Sequence, residues 1–191
     1  MAYDSRAQYF YIYLGSTTLF GGFGVVATQY KAHPGFNDYL NYDIALISLD
    51  TPVNLTNTIG TIRLPQPGTS VESGTSLVVS GWGLTSQAAT SPSSVLNYVG
   101  VTAISNQLCS LVYGTSTVIN STLCTIGETN EGTCSGDSGG PLVRYDEYGV
   151  ATLEGIVSFG AAAGCDLGYP SGFARVSKLL DWIKENCKDL S

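Results

Sequence analysis

At 191 residues, with a net charge of −7 and only eight Lys plus Arg, the chain is long enough for one sizeable β domain or two small barrels. Nucleic acid and anionic membrane would meet mostly repulsion and are excluded as partners. Sparse charge (12%) and 23 glycines, with abundant Ser and Thr, favour short strands joined by turns, so the expected class is all-β.

The N-terminus shows no secretory leader: Asp4 and Arg6 precede an aromatic stretch, without a basic start, a clean apolar run and a small-residue cleavage site. Residues 7–30 carry no charge, a length that could span a bilayer. Gly15, Gly21, Gly22 and Gly24 interrupt the run, however, and Tyr9, Tyr11 and Tyr13 alternate with Phe10 and Ile12 like a two-sided strand. Strand-like runs are expected at 8–14, 23–32, 44–49, 76–81, 96–103, 141–145 and 152–159, between clusters of Gly, Pro, Asn and Ser. That spacing belongs to a sandwich or barrel. Residues 65–74 read as a linker and 85–94 as an exposed loop.

One long helix is expected, at the end of the chain, where Val176, Leu179, Leu180 and Ile183 recur at helical spacing behind Ser177 as N-cap. Trp82 and Trp182 are read as packing residues. Five cysteines leave thiols, zinc ligands and disulfides open, but there is no C-x-x-C pair and a single histidine, His33. No metal and no cofactor is expected. Asn54-Leu55-Thr56 and Asn120-Ser121-Thr122 are glycosylation tripeptides compatible with secretion.

The densest chemical signal is Gly132-Thr133-Cys134-Ser135-Gly136-Asp137-Ser138-Gly139-Gly140-Pro141-Leu142. Its middle also satisfies the G-x-S-x-G elbow, whose serine leads into a helix and is followed by an acid and then a histidine. Here Pro141 opens a strand-like run and no histidine follows. The full string instead resembles the active-site segment of chymotrypsin/trypsin-type serine proteases. The resemblance continues in family order through Asn41-Tyr42-Asp43-Ile44-Ala45-Leu46, Ser80-Gly81-Trp82-Gly83, Gly155-Ile156-Val157-Ser158-Phe159-Gly160 and Tyr169-Pro170-Ser171-Gly172-Phe173. Within the family the chain is similar to arthropod chymotrypsin-like proteases and brachyurins.

The resemblance implies two six-stranded antiparallel β-barrels, the first incomplete, and a C-terminal α-helix. Residues 1–191 would form one protease domain lacking its N-terminal segment: 1–64 the remainder of the first barrel, 65–75 the linker, 76–191 the second barrel and helix. It makes Ser138 the nucleophile and the N–H groups of Gly136 and Ser138 the oxyanion hole, where glycine permits close backbone approach to developing charge. Asp43 becomes the acid that orients an imidazole, and Ser158 its support. Asp137 becomes the carboxylate that pairs with an N-terminus made by zymogen cleavage. Disulfides would join Cys109 with Cys124 and Cys134 with Cys165, leaving Cys187 reactive, intermolecular or deprived of a partner.

The implied specificity pocket is set by Gly132, Thr133, Gly160 and Ser171, with Phe173 beneath. A neutral base favours a large apolar P1 side chain, because an unpaired buried charge is penalised while apolar burial returns about 25 cal/mol per Å². Ala32-His33-Pro34 resembles a loop just before the acid and not the His-Cys segment that carries the base. The base is therefore expected upstream of Met1, in a chain read as N-terminally truncated and, as given, nearly inert. Implied partners are protein or peptide substrates and protein protease inhibitors, and implied localisation is extracellular. The alternative reading is a noncatalytic homologue acting as a binding or regulatory module.

Overall fold

In the computed structural model, which describes residues 8–129 and 131–187, the tyrosine alternation becomes strand β1 (Phe10–Leu14). Phe10, Ile12 and Leu14 are half-buried while Tyr11 and Tyr13 face solvent, as a period of two requires. The expectations resting on Asp4 and Arg6 lie outside the described residues. β1 pairs antiparallel with β2 (Phe23–Ala27), Phe10 opposite Ala27 and Leu14 opposite Phe23.

The single run expected over 23–32 is two strands. The chain leaves the first sheet at Thr28, whose hydroxyl donates to Asp50 Oδ2 at 3.0 Å. It resumes as β3 (Gln29–Ala32), paired antiparallel with β4 (Ala45–Ser48). Among the described residues these four strands make two two-stranded sheets.

The second part closes on itself. Strands β5 (Ser76–Gly81), β6 (Asn97–Ile104), β7 (Thr122–Ile126), β8 (Pro141–Tyr145), β9 (Ala151–Phe159) and β10 (Ser171–Arg175) form a barrel in the order β10-β7-β6-β5-β8-β9. Closure removes the free edges that an open sheet leaves. Its interior is filled by Leu77, Val79, Val101, Leu123, Leu142 and Phe173, each at most 4% exposed. Phe173, expected beneath the pocket, is thus a barrel-core residue.

Val176, Leu179, Leu180 and Ile183 are all buried, packing with Ile44 from the first part. Ser177 does not cap the closing helix. A 3₁₀ turn, Val176–Lys178, intervenes, α2 (Leu180–Asn186) starts after Leu179 without a side-chain cap, and Ser177 Oγ is buried without a partner among the described residues. A second helix, α1 (Asn106–Tyr113), was not expected. It is started by Ser105, whose Oγ accepts from Leu108 N–H at 3.2 Å, and it buries only Cys109 while Leu108 and Leu111 face solvent.

The two parts are tied by bridges Thr18–Val95 and Arg63–Thr152 and by Trp82 Nε1, which donates to the Thr17 carbonyl at 3.0 Å. No helix among the described residues is long and apolar enough to cross a membrane.

Candidate active site

The loop between β7 and β8 carries Ser138 on a turn that only glycine-rich sequence can make. Gly136 (φ 98°) and Gly139 (φ 83°) lie in the left-handed region, where a Cβ is disfavoured. A Cβ on Gly136 would also stand 3.0 Å from Gly83 Cα. The turn is closed by Asp137 N–H to the Cys134 carbonyl (3.1 Å) and Gly140 N–H to the Asp137 carbonyl (2.8 Å), and Gly139 N–H ties it to Val157 of β9 (2.9 Å). Gly136 and Ser138 are exposed. Among the described residues, their N–H groups donate to no other group.

Beside this turn lies a cavity of about 280 Å³ whose lining includes Thr133, Ser138, Ser158, Gly160 and Ser171, with no charged side chain among the described residues. At its buried end Ser171 Oγ accepts from Thr133 N–H (3.3 Å) and from Thr133 Oγ1 (3.1 Å). Gly132 stands against the same hydroxyl: a Cβ there would be 3.0 Å from Ser171 Oγ. One wall is built by contacts the sequence did not signal. Tyr113 at the end of α1 meets Phe159 edge-on at 5.0 Å, and its hydroxyl donates to the Pro170 carbonyl. Because α1 shows no core-facing apolar stripe, nothing in the sequence pointed to Tyr113.

Asp43 comes from the first part of the chain, just ahead of β4, and is 8% exposed. Ser158 Oγ donates to Asp43 Oδ2 at 2.8 Å, so β9 joins the aspartate to the cavity wall. Asp43 also borders an apolar cavity of about 220 Å³ shared with Phe36, Ile156 and Gly139, the neighbour of Ser138.

Asp137 belongs to a different cavity, of about 490 Å³, lined also by Gly81, Gly83 and Asn97. Its Oδ1 accepts from Gly83 N–H (2.8 Å) and its Oδ2 from Cys134 N–H (2.9 Å). Gly81 and Gly83 leave room for the carboxylate, since a Cβ on either would come within 2.1 and 2.6 Å of it. The disulfide Cys134–Cys165 borders both this cavity and the one at Ser138. The second disulfide, Cys109–Cys124, pins α1 to β7, and Cys187 packs against the closing-helix core.

His33 lines none of these three cavities. Its ring stacks on Tyr42 (4.8 Å between centroids, 7° between planes) and packs on Trp182 (5.0 Å). Nδ1 accepts from Gly35 N–H at 3.0 Å. Burial pulls its pKa below the ordinary value, which favours the neutral ring that this acceptor role requires.

The family model described as Trypsin matches residues 8–183. Brachyurin of Leptuca pugilator is 44% identical over 161 residues, 84% of this chain and 67% of the relative. A collagenase of Hypoderma lineatum is 38% identical over 183 residues, 92% of this chain and 66% of the relative. A solved HL collagenase structure superposes with a TM-score of 0.84 at 34% identity, covering 93% of this chain and 76% of that one. The chain therefore spans about two thirds of the length of these curated relatives.

Proposed function

The chain belongs to the trypsin family of serine proteases, and from that premise we propose that it supplies the nucleophile, acid and specificity pocket of a chymotrypsin-like endopeptidase. Ser138 Oγ attacks the scissile carbonyl. The N–H groups of Gly136 and Ser138 receive the developing oxyanion, a contribution whose loss typically costs about 10²–10³ in rate. The scissile C–N bond then breaks, the amine half leaves with the proton taken from Ser138, and water hydrolyses the acyl-enzyme to release the acid half and regenerate the Ser138 hydroxyl. Asp43, held by Ser158, orients an imidazole and stabilises its protonated form. Asp137 shapes the loop that carries the oxyanion donors. The observation that carries this reading is the Ser158–Asp43 bond, which links a buried carboxylate to the wall of the neutral cavity rimmed by Ser138.

The proton of Ser138 needs a base. His33, the single histidine, has Nδ1 engaged by Gly35 and its ring stacked on Tyr42, so it is not assigned that role. In subtilisin, loss of the base alone costs roughly 10⁶ in kcat. The 191-residue chain is accordingly expected to cleave peptides at a residual rate.

The pocket reading is tested by binding. Burying a phenylalanine side chain yields roughly 1.5–3 kcal/mol, so a peptide ending in Phe should bind at least about tenfold more tightly than one ending in Arg. Ser171→Asp should reverse that order. Equal affinity for the two peptides would remove the chymotrypsin-like assignment.

The engagement of His33 also favours a second reading, a noncatalytic homologue that holds peptides in the same pocket. Fluorophosphonate separates the two. Slow labelling at Ser138, at the residual rate expected without a base and lost in Ser138→Ala, supports the endopeptidase machinery. Tight peptide binding with no labelling above that of Ser138→Ala supports the binding module.

A further inference from the structure

Asp43 is the one candidate catalytic side chain that the barrel does not supply, and the backbone leading to it is strained. Tyr42 has φ 54°, a left-handed conformation that is disfavoured for an L-residue with a Cβ. Ile44 N–H donates to the Tyr42 carbonyl at 2.8 Å, closing a three-residue turn with Asp43 at its centre. A tyrosine does not hold this conformation by preference, so something outside the turn must fix it.

His33 grips the turn from both sides. Its ring lies flat on Tyr42, immediately before Asp43, and its backbone N–H donates to the Ile44 carbonyl at 3.0 Å, immediately after it. The imidazole is itself held by Gly35 N–H at Nδ1 and by Trp182 of α2. Gly35 is part of the device: a Cβ there would come within 3.0 Å of Tyr42 Cδ2 and 3.2 Å of His33 Nδ1, so one of the stacked rings would have to shift to admit it.

We propose that His33 is a positioning residue of the active site, whose neutral imidazole holds Tyr42 left-handed and thereby fixes the direction in which Asp43 presents its carboxylate to Ser158. Its catalytic meaning rests on the reading of Asp43 as the family acid. The mechanical coupling between His33 and Asp43 does not.

The coupling is read by ¹³C NMR of the full chain labelled at aspartate carboxyls, with the Asp43 resonance identified by its loss in Asp43→Asn. His33→Ala should move that resonance and leave that of Asp137 in place. His33→Phe, which keeps a flat ring on Tyr42, should restore most of its position. In a Tyr42→Asn background, where residue 42 tolerates the left-handed region unaided, His33→Ala should move it little, so the two substitutions are non-additive. Thermal unfolding establishes that each variant is folded, and His33→Phe carries the test if His33→Ala is not. An unmoved Asp43 resonance in folded His33→Ala, an additive cycle, or a displacement in His33→Phe as large as that in Ser158→Ala would overturn the proposal. The peptide-binding comparison reports on the pocket independently, so the coupling can hold where the endopeptidase reading fails, and the reverse.

Discussion

The barrel β5–β10 and the paired strands β1–β4 are built from similar residues and end in opposite states. The barrel closes its hydrogen-bonding ring and seals Leu123 and Leu142 at 0% exposure. The first part makes two separate two-stranded sheets, with Tyr11 66% and Phe20 72% exposed. The site divides the same way. Ser138, Ser158 and the neutral cavity come from the barrel and its loops, whereas Asp43 comes from the first part and, among the described residues, meets the barrel at the Ser158 hydroxyl. Rigidity in the barrel follows from closure, while in the first part it rests on local clamps such as His33 on Tyr42.

The difference is broken most strongly in the barrel core. Leu142→Ala should cost about 2–5 kcal/mol by urea denaturation, the usual range for a fully buried leucine. A change below about 1 kcal/mol would mean the barrel is not the stable unit. Removing the Cys109–Cys124 bridge by paired serines opens a loop with a sequence separation of 15, worth about 3 kcal/mol in the chain-entropy account, and α1 should lose amide protection before β5 or β8 does.

A smaller effect is expected from acid. The His33 pKa lies below its ordinary 6.5 in the folded chain, so the unfolded chain takes up that proton first as pH falls. Stability from this group is therefore intact above about pH 6.5 and is lost as pH drops toward the folded value. Wild type should lose more Tm than His33→Phe between pH 7.5 and 5.5, values chosen to lie about one unit either side of the ordinary imidazole pKa. Identical losses would show that the ring titrates freely. Least affected should be Tyr11→Ala on the open face of β1, within about 0.5 kcal/mol of wild type.

Much of the barrel was legible because its strands alternate or begin at unmistakable breaks: residues 76–81 and 141–145 were read as strands and are β5 and β8. β7 and β10 were not read, since Thr122–Ile126 and Ser171–Arg175 are buried on nearly every residue and show no period of two. The split at Thr28 was hidden because the bond that turns the chain comes from Asp50, far along the sequence. At the site, the glycine-framed serine advertised its turn. Of the four residues expected to set the pocket, Thr133, Gly160 and Ser171 meet in one cavity with Ser138, whereas Gly132 lines the cavity beside Asp137 and only approaches the Ser171 hydroxyl. The wall made by Tyr113 and the clamp made by His33, Tyr42 and Trp182 depend on contacts between distant elements. Local sequence carries no trace of such contacts.

The most direct test of the account is a crystal structure of the chain with an acetylated peptide ending in phenylalanine. The account predicts the aromatic ring between Gly160 and Ser171, the terminal carboxylate at the N–H groups of Gly136 and Ser138, and the Ser158–Asp43 bond intact. A peptide seated instead in the cavity beside Asp137, or a Phe ring outside the cavity at Ser138, would contradict it.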